Sequence, residues 1–173
     1  MTEPVLGYRF WFAREGWLYP MHGRTATARP WLAGVNEARC TLDRHADPPP
    51  GETCGCGLHS FYDPEWMLRW LKLSPIWDVR RGHPRGQLVC GITRSWGRVA
   101  PGRQSLVAQY AGVLALLDAP ELDELDLGEL VGLARAYEVP VVPFASAQVW
   151  AAEFGTPMPD ELRPAPPVPG FSE

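Results

Sequence analysis

Lysine is nearly missing from this chain: Lys72 is the sole lysine among sixteen basic residues, and the rest are arginine. That usage reads as GC-rich coding rather than chemistry. No run reaches the roughly 18 apolar residues that a membrane span needs. The opening MTEPVLGYRF has neither the basic nor the apolar region of a secretory signal. A cytoplasmic protein without membrane contact is therefore expected. The signatures of common catalysts are missing as well: there is no Gly-x-Gly-x-x-Gly, no Walker Gly-Lys-Ser/Thr, no His-Glu-x-x-His and no Gly-x-Ser-x-Gly. Carboxylates gather only around residues 121–129, where a helix dipole and solvation account for them. Catalysis is the less favoured reading.

A charged fraction of 21% is too small for a disordered chain, and 46% hydrophobic residues with eight tryptophans suit a folded core. With 173 residues the chain fits one domain. Its net charge of −4 hides an asymmetry: residues 1–116 hold 14 basic against 9 acidic residues, and residues 117–173 hold 2 against 11. Either these are ordinary solvated faces, or an arginine-lined surface steers an anion.

Aromatic residues mark the first β unit. YRFWFA, residues 8–13, and WLYPM, residues 17–21, flank a short turn at Arg14-Glu15-Gly16 and predict a hairpin. In GQLVCGITRSWGRVA the period of two places Leu88, Cys90, Ile92 and Arg94 on one face of a strand. SLVAQYAGVLAL, residues 105–116, fits a strand kinked at Gly112 and, nearly as well, a helix. Asp63-Pro64-Glu65 has the order of a helix start, with Trp66, Met67, Trp70 and Leu71 sharing a face. From Pro120 an amphipathic helix runs to about Tyr137, its apolar side carrying Leu122, Leu130, Leu133 and Ala134. The expected fold is α+β: a small, partly open antiparallel sheet or barrel, a metal-tied loop, a short packed helix and a C-terminal amphipathic helix. Residues 1–155 form its single domain, and residues 156–173, with six prolines, form an extended tail.

Cysteine is scarce but gathered. Three of the four cysteines and two of the four histidines fall in CTLDRHADPPPGETCGCGLHS, residues 40–60. In a reducing compartment such a cluster serves metal binding or redox chemistry more often than disulfides. Zinc takes four nitrogen or sulfur ligands in a tetrahedron, and glycines let short loops wrap it. Cys54 and Cys56 flank Gly55, Cys40 precedes the Pro48-Pro49-Pro50-Gly51 hinge, and His45 and His59 stand on its two sides. The preferred set is Cys40, His45, Cys54 and Cys56, with His59 in reserve. A structural zinc would shape a loop that buries little apolar surface. The same ligands suit a [2Fe–2S] cluster, which is the alternative cofactor.

Cys40, His45-Ala46-Asp47-Pro48, Cys54-Gly55-Cys56-Gly57-Leu58-His59 and Trp96-Gly97-Arg98-Val99, after an opening at Tyr8 to Phe12, resemble a group of small proteins from GC-rich actinobacteria. The resemblance spans about residues 8–110. It brings no activity with it.

Arg80, Arg81, His83 and Arg85 in the loop RRGHPRG, with Trp77 and Arg98 nearby, form the candidate binding surface. Guanidinium groups match anions and phosphates. A protein partner or a small anionic ligand is the favoured occupant. Nucleic acid is the weaker alternative, because the chain as a whole is acidic.

Overall fold

The computed structural model describes residues 4–21, 29–40, 47–51, 54, 56–73, 86–120, 122 and 125–157. Among these, no helix is long and apolar enough to cross a membrane. The fold is α+β, built on an eight-stranded mixed sheet.

Strand β1 (Val5–Arg14) turns tightly into β2 (Trp17–Pro20). Glu15 and Gly16, with φ of 53° and 79°, supply the positive dihedrals that a two-residue hairpin requires. β1 is apolar almost throughout because both its faces are covered. Leu6, Tyr8, Phe10 and Phe12 enter one core, while Trp11 and Ala13 enter the other.

The short β3 (Asn36–Glu37) and β4 (Leu58–Phe61) are followed by helix α1 (Pro64–Leu73). Asp63 caps that helix, its Oδ1 accepting the Trp66 N–H at 2.8 Å. The buried stripe comprises Met67, Leu68 and Leu71. This shifts the expected face by one position. Trp70 stays on it, stacked on Phe10 at 5.6 Å, but Trp66 moves to the half-buried rim under Arg69.

A long hairpin, β5 (Gln87–Pro101) and β6 (Ser105–Asp118), forms the centre. Residues 105–116, which fit strand or helix by pattern, are strand, because β6 pairs with β5, β4 and β3 at once. The expected alternation holds along β5, which stays in continuous register with β1: Leu88, Cys90 and Ile92 are buried on one face, and Arg94 on that face reaches solvent, while the irregularity between Ile92 and Thr93 places one extra residue, Leu114, on β6.

Helix α2 (Leu127–Ala136) opens with a capping box between Asp126 and Glu129, so the helix begins later than Pro120. β7 (Val141–Pro143) adds a parallel edge to β6. In the segment that follows, where no sequence signal marks a helix, α3 (Ala147–Phe154) forms and buries Ala147 and Ala151. β8 (Thr156–Pro157) pairs in parallel with Val5 and Leu6, so the chain remains attached to the sheet at the point where a tail was expected to begin. The rest of that tail, 158–173, lies outside the described residues.

α1 and α3 contribute to the first core and α2 to the second. The strands run β1–β5–β6–β4 and return to β1 through one residue pair, Tyr8 with Phe61. The ring is therefore a partly open sheet rather than a closed barrel.

Candidate metal centre

The site is created where two short strands share one edge of β6. β3 pairs Asn36 with Ala111 and Glu37 with Tyr110, and the Ala38 N–H then donates to the Gln109 carbonyl at 2.8 Å. β4 takes up the same edge one residue further on, pairing Leu58 with Ala108. The chain between them leaves and rejoins β6 at adjacent register positions. Cys40 stands two residues beyond Ala38, and Cys56 two residues before Leu58. The stems of the excursion thus bring these cysteines side by side, although sixteen positions separate them in sequence.

Two local devices complete the arrangement. Gly57 has φ of 137°, and a Cβ there would collide with Val107 Cγ1, so only glycine lets the backbone pass this close to β6. Gly51 and Cys54 form an isolated bridge that folds Cys54 back towards the stems. Arg98 Nη1 donates to the Pro48 carbonyl at 3.1 Å and ties the proline segment to β5.

The result is a cluster in which the sulfurs of Cys40, Cys54 and Cys56 all lie within 4.8 Å of one another. Cys40 Sγ and Cys54 Sγ are 3.8 Å apart. A disulfide would hold them at about 2.05 Å, and no cysteine forms one. Four ligands about 2.3 Å from a zinc ion define a tetrahedron whose edge is about 3.8 Å. Three soft donors at this spacing are near enough to bind one metal ion. Desolvation raises the Cys56 thiol above its ordinary pKa, and the neighbouring Cys54 and Cys40 add to this, while a backbone hydrogen bond from Gly51 opposes it. A bound cation reverses that preference, because coordination deprotonates thiols.

His59 belongs to β4, where its carbonyl accepts a hydrogen bond from Arg9, and it is outside the 4.8 Å group. His45 lies outside the described residues, as do Trp77, Arg80, Arg81, His83 and Arg85. Arg98 is described and exposed, and its contact with Pro48 places it beside the cysteine loop. Cys90 is fully buried in the core, between Phe10 and Leu117 in the sheet register, and is not part of the cysteine group.

Sequence reasoning missed Arg9. It sits in the middle of an apolar strand, is 7% exposed, and its guanidinium packs 4.7 Å from the Trp31 ring. A lone charge within YRFWFA was the available signal.

No family model matches this chain, and neither does any curated protein or solved structure.

Proposed function

We propose that the protein is a non-catalytic binding module shaped by one structural zinc ion, held by Cys40, Cys54, Cys56 and His45. The basic, aromatic surface around residues 77–98 would recognise a protein partner or a small anionic ligand. The observation that carries the reading is the cysteine trio, with a 3.8 Å sulfur pair at the edge length of a zinc tetrahedron.

The spacing favours a single ion over the [2Fe–2S] alternative. A two-iron cluster divides its ligands between two metals, so thiolates on different irons stand farther apart than thiolates on one. Here all three sulfurs fall within 4.8 Å. Three thiolates and one imidazole also fill the zinc coordination sphere, leaving no open position for substrate. The zinc then closes the excursion between β3 and β4 and holds both short strands on β6.

Metal analysis together with an absorption spectrum on freshly purified protein tests this reading. About one zinc per chain and no visible absorption are expected. Iron with visible bands, or no metal at all, would replace it.

One observation favours nucleic acid as the second reading. Trp96 stacks on Tyr110 at 6.1 Å, with Arg94 5.8 Å from the Trp96 ring, an aromatic and arginine pairing of the kind that single strands use. The net charge of −4 weighs against it. Binding of an oligonucleotide that weakens steeply with salt, and loses its slope when Arg80, Arg81 and Arg85 are neutralised, would promote it.

A further inference from the structure

Arg9 is a buried cation with no compensating acidic partner among the described residues. Its guanidinium is fixed from two sides: one face packs against Trp31, itself held edge-on to Trp11 at 5.2 Å, and Nη1 donates to the His59 carbonyl. Nε is buried and has no hydrogen-bond partner. Desolvation alone acts on its ionisation, lowering its pKa to about 10, so it remains charged at neutral pH and no acidic group among the described residues offsets it. A second donor in the same core, Trp11 Nε1, also lacks an acceptor. Buried charges are ordinarily paired, and buried N–H groups ordinarily bonded, because water cannot repay either deficit inside the protein.

We propose that Arg9 is the receptor for one small oxyanion, a carboxylate or phosphate group, bound at the free Nε edge of its guanidinium. That edge presents parallel N–H donors, which match two oxygens of a carboxylate or phosphate. Trp31 and the His59 carbonyl hold the fork in place before the anion arrives, so little side-chain entropy is lost on binding. Halide fits less well, since it has no second oxygen for the fork. The site is built on β1 and uses none of the three cysteines, so metal content and anion response are read as two distinct measurements.

The test uses the full chain with its metal, titrated with inorganic phosphate and, separately, with acetate at constant ionic strength. Calorimetry and thermal melting are read together. Saturable binding of one phosphate or acetate per chain, with a rising melting temperature, is expected, and the stronger of the two probes identifies the headgroup class. Arg9→Met should abolish that binding while retaining metal, and in anion-free buffer it should melt no lower than the wild type, because it removes an unpaired buried charge. If Arg9→Met does not fold, Arg9→Lys keeps the charge but loses the fork, and should weaken binding at least tenfold. Wild-type protein that binds neither probe saturably would overturn the proposal, as would an Arg9→Met or Arg9→Lys variant that binds as the wild type does.

Discussion

If the cysteine trio holds a zinc ion as proposed, chelation should lower the melting temperature of this protein by an amount set by mass action and the size of the domain. The cysteine loop is not a detachable appendage. Its stems are β3 and β4, and both lie on β6, the strand that also pairs with β5 and β7. Metal bound only by the folded chain stabilises it by mass action, by about 4 kcal/mol when free zinc is a thousandfold above its dissociation constant. A domain of this size shifts its midpoint by about 2–4 °C per kcal/mol. Stripping the ion should therefore lower the midpoint by about 8–16 °C. The assay is thermal melting followed by circular dichroism, with reductant present, before and after a strong chelator. Cys54→Ser provides the matching genetic perturbation: Cys54 stands in the Gly51 turn rather than in a strand, so the change removes a ligand without disturbing the sheet. It should reproduce the chelated midpoint, and chelator should then add nothing, since both act on one interaction. A wild-type melt unmoved by chelator would refute the structural-metal account, and so would additive effects of chelator and Cys54→Ser.

Three further outcomes are expected. Gly57→Ala should cost about 2 kcal/mol in urea unfolding and weaken metal binding, because alanine at φ of 137° is strained and its methyl meets Val107. Tyr137→Phe should cost about 2–3 kcal/mol with metal content unchanged. Its hydroxyl accepts the Leu18 N–H at 2.9 Å and donates to the Trp31 carbonyl at 2.7 Å, and both partners would be left without it. Cys90 has its pKa pushed from 9.0 to about 12, chiefly by burial. The folded value exceeds the unfolded one, so its contribution is complete below pH 9 and is lost as pH rises towards 12. Between pH 9 and 11 the wild type should lose more stability than Cys90→Ala, measured by urea unfolding at each pH; parallel pH profiles would contradict this.

Local chemistry was legible wherever it repeats or punctuates. The aromatic hairpin, the Asp63-Pro64 helix start and the acidic opening of α2 all form near where their residues imply, because propensity, capping and the apolar period act over a few neighbours. α3 escaped notice because AQVWAAEF is short and carries no side-chain cap at Ser146. The face of α1 shifted because only packing against Phe10 and Phe61 decides how its tryptophans are shared between core and rim.

By itself the sequence determined that this is a folded α+β chain and that soft metal donors crowd one proline-rich stretch, since composition, spacing and turn chemistry are properties of the chain. The three-dimensional arrangement decided the rest. β6 is strand rather than helix because partners on both edges satisfy its backbone groups. Cys40 meets Cys56 because their flanking strands end at adjacent positions on that same edge. Arg9 lies inside because β1 is covered on both faces, a fact of layering that no local pattern encodes.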